Sequence, residues 1–201
     1  MKTIAITDYG MGNLMSVQKA CEYVGAKAYI TGEEEGLEKA DLVILPGVGA
    51  FPDAMKLLKQ TGLDNVIKAQ AAKKPLLGIC LGMQLLFDSS DEFALTEGLG
   101  LIKGDVRKMD AGGLKIPHMG WNSLEMNGEC PLLKGVDKGS YVYFVHSYKA
   151  HVAMRDDLYA FTQYGGEVAA VVGHGNVYGC QFHPEKSSQT GLQIIKNFIE
   201  L

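Results

Sequence analysis

No run in this 201-residue chain reaches the roughly 18 consecutive apolar residues that a membrane-spanning helix needs. The opening Met1-Lys2-Thr3-Ile4-Ala5-Ile6 passes straight into a strand-like segment and Asp8, without a cleavage-site pattern, so no signal peptide is expected. Lysine and arginine (19 against 23 acidic residues) form no basic cluster, and the net charge is -4. Nucleic acid is therefore not the expected partner. Cys21, Cys80, Cys130 and Cys180 contain no Cys-x-x-Cys pair, which removes zinc knuckles and thioredoxin-like redox chemistry. In the cytoplasmic chain expected here they would be reduced thiols. His118, His146, His151 and His174 lack metal-ligand spacing such as His-Glu-x-x-His, and no Gly-Lys-Ser/Thr follows a glycine-rich turn. Neither a metal, a cofactor nor a Walker A phosphate loop is expected.

Glycine, at 25 residues, is abundant and implies many tight turns and close backbone approaches. Apolar residues at 47% suit a globular domain, and residues 1–201 show no internal repeat, low-complexity linker or domain break. Thr3–Thr7, Ala28–Ile30, Leu42–Leu45 and Leu76–Ile79 read as strands; Pro46-Gly47 ends the third, and Pro75 opens the fourth. Helices are expected over Asn13–Val24, with Asn13 as N-cap and Gly25 as stop, and over Pro52–Gln60 and Leu63–Lys73. Further extended segments are Leu99–Val106, Trp121–Met126, Tyr141–Tyr148, Leu158–Gln163, Val168–Val172 and Asn176–Phe182, before a closing helix over Thr190–Glu200. The pattern predicts one α/β domain: an open, mostly parallel mixed sheet with helices on both faces.

One cysteine stands out. In Gly78-Ile79-Cys80-Leu81-Gly82-Met83-Gln84 an apolar strand reaches Cys80 between two glycines, the pattern of a nucleophile elbow with cysteine as nucleophile. The glycines let the backbone bend sharply, and the start of a following helix favours anionic sulfur. The Leu81 amide would be one oxyanion donor. Taken alone, the segment reads equally as a buried structural cysteine in a tight turn. A cysteine nucleophile needs a base and the base an orienting group, and Gln181-Phe182-His183-Pro184-Glu185 supplies both. In an extended chain residues two apart share a side, so Glu185 would hold the ring of His183. Alone, His-Pro-Glu is an ordinary loop tripeptide; joined to the elbow it meets a mechanistic requirement. Pro46-Gly47-Val48-Gly49 follows a buried strand, where ligand loops of open α/β sheets gather, and its glycines would let an amide turn toward an oxyanion; alone it reads equally as an ordinary turn.

These elements in this order resemble the class I (triad) glutamine amidotransferases, whose elbow is Gly-x-Cys-x-Gly-x-Gln and whose base segment is His-Pro-Glu. Asp8-Tyr9-Gly10-Met11-Gly12-Asn13, Pro117-His118-Met119-Gly120-Trp121-Asn122 and Tyr143-Phe144-Val145-His146-Ser147-Tyr148 narrow the resemblance to the glutaminase subunits of imidazole glycerol phosphate synthase, over nearly the whole chain. The resemblance implies a flavodoxin-like fold. It implies that Cys80 attacks the glutamine side-chain amide, that His183 protonates the leaving ammonia and that Glu185 orients His183. It makes the Val48 amide the second oxyanion donor, one that must turn inward. Gly49, Gln84, Glu92 and the backbone of His146, Ser147 and Tyr148 would hold glutamine. Asn13, Trp121, Tyr143 and Lys186 would lie near a (β/α)₈ cyclase subunit, the heterodimer partner, which receives the ammonia through its bore. In such subunits the free glutaminase is nearly silent until the partner binds its ligand.

Read without the resemblance, those outer residues say less. Asn13 is first a helix cap, Trp121 a core or rim aromatic, Tyr143 and Tyr148 strand-face packing, and Lys186 a solvated charge. Other triad amidotransferases, a cysteine hydrolase without glutamine, and a flavodoxin-like binding module remain as alternatives. The last leaves the Cys-His-Glu set without a purpose, and Gln84 and Glu185 weigh against the hydrolase.

Overall fold

The computed structural model describes residues 1–201. Its first half alternates β1 (Thr3–Thr7), α1 (Leu14–Tyr23), β2 (Lys27–Thr31), α2 (Glu34–Lys39), β3 (Leu42–Gly47), α3 (Phe51–Thr61), α4 (Leu63–Ala71), β4 (Leu76–Cys80) and the one-turn α5 (Leu81–Gln84). The second half is built of β5 (Ser89–Ser90), β6 (Thr96–Glu97), β7 (Gly104–Lys108), β8 (His118–Ser123), β9 (Glu125–Met126), β10 (Tyr141–His146), β11 (Tyr148–Val152), β12 (Leu158–Gln163), β13 (Glu167–His174) and β14 (Val177–Cys180), closed by α6 (Ser188–Ile199).

Eight strands form a mixed sheet in the order β2-β1-β3-β4-β14-β13-β12-β9. Neighbours are parallel from β2 to β14 and antiparallel from β14 to β9. The central strands are buried on both faces, so their sequences are continuously apolar while successive side chains still part to opposite sides. Ile4, Ile6, Leu42, Ile44, Leu77 and Ile79 pack with Val17 and Cys21 of α1 and Ile194, Ile195 and Phe198 of α6. Ala5, Val43, Leu45 and Leu76 pack with Leu37 of α2, Met55 and Leu58 of α3, Ile67 of α4 and Met83 of α5. Helices thus cover both faces, as the sequence pattern predicts. β4 and β14 are parallel neighbours with Ile79 opposite Cys180, so both carboxyl ends open on one edge. A β8–β10 pair sits apart from this sheet, as does a small sheet in the order β11-β7-β5-β6.

The departures from sequence expectation have local causes. Asn13 does occupy the N-cap of α1, but its side chain makes no capping bond and its ψ of 63 lies outside the extended region that caps use. The turn α2 is not legible in Glu33–Lys39, where Leu37 is the one core residue; Lys74 holds it from outside, its Nζ donating to the carbonyls of Leu37, Glu38 and Ala40. Leu99–Val106 is extended only from Gly104 onward. Before that, Leu101 and Ile102 donate to the Leu86 carbonyl, a wrap that Gly100, at φ 65, makes possible. Tyr141–Tyr148 is two strands broken at Ser147. No helix is long and apolar enough to cross a membrane.

Candidate active site

Cys80 ends β4 with φ 54 and ψ -109, a conformation side chains rarely adopt and that costs on the order of 1–3 kcal/mol. The bend exists because its flanks carry no side chains. A Cβ on Gly78 would come within 2.7 Å of the Gly82 carbonyl oxygen and of the Met83 amide, and one on Gly82 would overlap the Leu45 carbonyl. Strand, elbow and α5 can therefore stack closely only with glycine at both places. The helix that follows has four residues, too short for its dipole to act strongly on the sulfur.

His183 lies just past β14, next to β4 in the sheet. Its Nδ1 is 2.8 Å from Glu185 Oε1, and both side chains are almost wholly buried. A carboxylate only accepts, so the Nδ1 proton is fixed there and Nε2 is left as the working nitrogen; Nε2 is buried and has no hydrogen-bond partner within the protein. Burial pushes His183 down, but the Cys80 thiol and the Glu185 carboxylate outweigh it and lift the ring up to about 9. The chain here is not extended, contrary to expectation: Pro184–Lys186 is a 3₁₀ turn. Proline at its first position fixes φ near -65°, and the turn swings Glu185 back under the ring. Ser187 locks the arrangement, its hydroxyl donating to the His183 carbonyl (2.6 Å) and accepting the Tyr143 amide (3.0 Å), while His183 N–H donates to the Tyr143 carbonyl (3.0 Å).

Cys80 and His183 line one cavity of about 350 Å³. Every residue expected at the glutamine end reaches it: Gly49, Gln84, Glu92, His146, Ser147 and Tyr148, together with Val48 and Leu81. Pro117 and Val145 also line it, and the sequence reading did not single them out. Glu92 accepts the Phe51 amide at 2.8 Å through Oε2, so it also caps the start of α3; burial raises its pKa, partly offset by that bond. The carbonyls of Ser147 and Tyr148 are engaged inside the protein, by Met109 and by His146 with Gln84. Gln84 gives Nε2 to Tyr148 and to Gln181 Oε1, both at 3.0 Å, leaving its own Oε1 as the remaining polar atom. Val48 is exposed at the cavity rim and Gly49 takes φ 103.

Trp121 and Tyr143 sit opposite one another in the β8–β10 pair, ring centroids 6.0 Å apart, and Trp121 is about half exposed. Through Ser187 and His183 the Tyr143 backbone joins the base segment, which also carries the exposed Lys186; α1, with Asn13 at its start, touches the same turn. The other three cysteines are free, buried and outside this cavity, and burial raises their thiols: Cys21 to about 12, Cys130 to about 11 and Cys180 well above the usual value. No three His, Cys, Asp or Glu side chains are grouped to hold a metal ion.

Comparison with known proteins gives the arrangement its relatives. The family description "Glutamine amidotransferase class-I" matches residues 5–201. The "Imidazole glycerol phosphate synthase subunit HisH" of Caldanaerobacter subterraneus subsp. tengcongensis is 54% identical over 98% of this chain and 98% of its own length. The protein of the same name from Bacillus thuringiensis is 51% identical over 97% and 93%. Among solved structures, "Structure of PurLQS from Thermotoga maritima" superposes with a TM-score of 0.79, at 22% identity, over 100% of this chain and 99% of that one. A putative GMP synthase subunit from Thermoplasma acidophilum gives 0.75 at 22% identity, covering 100% and 93%. At such identity these two speak to the fold.

Proposed function

We infer a mechanism from one premise: the chain belongs to the class I glutamine amidotransferases and, within them, to the glutaminase subunits of imidazole glycerol phosphate synthase. It is a glutamine amidotransferase that hydrolyses L-glutamine to glutamate and ammonia in histidine biosynthesis, as one subunit of a complex. The residue roles that follow are our reading. The Cys80 thiol passes its proton to His183 Nε2 and the sulfur attacks the side-chain amide carbon of glutamine. Val48 and Leu81 amides receive the developing oxyanion, with Val48 turning inward. His183 Nε2 delivers its proton to the leaving nitrogen, ammonia departs, and a γ-glutamyl thioester remains. Water then adds with His183 as base, releasing glutamate and the thiol. Glu185 holds the tautomer that makes Nε2 the proton carrier throughout.

The observation that carries this reading is His183 itself. Its Nδ1 is held by a buried carboxylate, its Nε2 has no partner within the protein, and the residue lines the same cavity as a strained cysteine. Glu92, Gln84 and the His146–Tyr148 segment hold the amino-acid end of glutamine, with Gly49 at the rim. The whole chain acts as one domain in the cytoplasm. Ammonia passes to a (β/α)₈ cyclase, against which Asn13, Trp121, Tyr143 and Lys186 lie. The half-exposed Trp121–Tyr143 pair beside the base segment supports that docking face. Measuring glutamate release by the chain alone, with the cyclase, and with cyclase plus imidazole glycerol phosphate tests the reading. A low rate that climbs steeply only in the last condition is expected; high activity alone, indifferent to the cyclase, refutes the coupling. Cys80→Ala should abolish glutamine-dependent synthesis by the complex and spare ammonia-dependent synthesis. Equal loss of both in a folded complex would refute the nucleophile.

A further inference from the structure

A file of buried polar groups runs from β8 to the sulfur of Cys80, and the chemistry of each member sets its direction. The Tyr148 carbonyl receives both Gln84 Nε2 (3.0 Å) and His146 Nδ1 (2.8 Å); a carbonyl only accepts, so His146 carries a proton on Nδ1. Burial lowers His146 to about 4, which keeps it neutral near pH 7 and makes its Nε2 an acceptor, facing His118 Nδ1 at 3.0 Å. His118 is clamped between Phe144 and Tyr164, at 4.7 and 3.9 Å between centroids. Donating from Nδ1, it is left with an accepting Nε2, 2.7 Å from the Asn122 side-chain amide on the outer strand, a pair that matches with the Asn122 amide turned so that its nitrogen faces the ring. In the other direction Gln84 gives its second N–H to Gln181 Oε1 at 3.0 Å. With its oxygen engaged, Gln181 turns Nε2 toward Cys80 Sγ, 3.9 Å away. Flipping the Gln181 amide would set its N–H against the N–H of Gln84 and its oxygen against sulfur. Gln181 and His118 are fully buried, so water offers neither an alternative partner.

We propose that Gln181 is a positioning residue for the nucleophile: Gln84 holds its amide N–H on the Cys80 sulfur, and the file through Tyr148 and His146 to His118 anchors Gln84. The proposal rests on Cys80 being the glutaminase nucleophile. An N–H aimed at sulfur favours the anion, and here it supplies what a one-turn helix cannot. The 3.9 Å separation is long for a finished bond and suits a contact that tightens as sulfur gains charge.

The test uses the complex with its cyclase and two readouts: kcat and KM for glutamine, and the pH profile of Cys80 alkylation by iodoacetamide, followed by mass spectrometry of the Cys80 peptide. Gln181→Met keeps the bulk and removes the donor. Alkylation at pH 7 should slow about tenfold, its profile should move to higher pH, and kcat should fall comparably with KM little changed. Gln181→Glu keeps the Gln84 bond but faces sulfur with an acid, and should slow alkylation further than Met does. His118→Phe preserves the stack and cuts the far end; a shift in the same direction of about twofold to threefold is expected. An alkylation profile for folded Gln181→Met that overlays the native one overturns the proposal. If that variant does not fold, an unmoved profile in His118→Phe overturns it instead. Alkylation needs no glutamine, so native complex that alkylates at Cys80 yet releases no glutamate would sink the glutaminase reading separately.

Discussion

The elbow at Cys80 and the turn at His183 meet in one cavity, yet they are shaped by opposite means. Around Cys80 the determining feature is missing atoms: two glycines without Cβ and a backbone strained to φ 54, with only two contacts to sulfur at the long limit of 3.9 Å. Around His183 it is bonds: the carboxylate on Nδ1, the Ser187 hydroxyl on the carbonyl, and two links to the Tyr143 backbone, one from the His183 amide and one through the Ser187 hydroxyl. A nucleophile must keep its sulfur open to the substrate, so sterics fix its backbone and only long contacts reach the sulfur itself. A proton carrier must present one nitrogen in one tautomer, which only hydrogen bonds can specify. The elbow should then fail when atoms are added, and the turn when they are removed.

The strongest break of that comparison is Gly82→Ala. With the Leu45 carbonyl in the way, stability should fall by about 3 kcal/mol or more, read in thermal or urea unfolding. A loss below about 1 kcal/mol would show that the elbow yields. Next comes Glu185→Gln, which keeps the shape and loses the charge: kcat should drop on the order of a hundredfold or more. It should also flatten a pH dependence. His183 is raised from 6.5 to about 9, so the folded chain holds a proton that the unfolded chain has released between those values. The resulting stabilisation is complete below about pH 6.5 and is lost as pH rises through 9. Unfolding free energy should fall by on the order of 1–3 kcal/mol across that window in the native chain, and by visibly less without the Glu185 charge. Ser187→Ala strips the Tyr143 amide of its partner and should cost about 1–2 kcal/mol, with a modest fall in kcat. The smallest effect belongs to Asn13→Ala. Because its side chain caps nothing, stability should change by less than about 0.5 kcal/mol in a denaturant melt, where an ordinary N-cap would lose about 1 kcal/mol.

Legibility in the sequence divides along the same line. Steric devices announce themselves: Gly78 and Gly82 flank the thiol, and the apolar runs Leu42–Leu45 and Leu76–Ile79 read directly as central parallel strands. Bonded devices depend on what another segment brings. Proximity in sequence pairs Glu185 with His183, but the extended chain it suggests is curled by Pro184 into a turn. Glu92 was not legible as a cap for α3, since Phe51 lies 41 residues away. Gln181 did carry a signal, standing two positions before His183 at a strand end and so on its side of the chain. What could not be read was that Gln84, 97 residues earlier, fixes which end of its amide faces the sulfur. The weak helix α2, held by Lys74, is the same lesson away from the site.

The adjacency of β4 and β14 has a wider consequence. Cys80 ends β4 and His183 follows the end of β14, so the segments that carry sulfur and imidazole start from neighbouring strands of one backbone ladder, about 4.8 Å apart. A ladder is indifferent to side-chain identity. Surfaces, connections and whole peripheral sheets are free to drift while that interval stays constant. The same scaffold at 22% identity is what such a rule would leave behind in distant relatives. Evolution can rewrite whom the molecule meets without recalibrating the gap across which a proton moves.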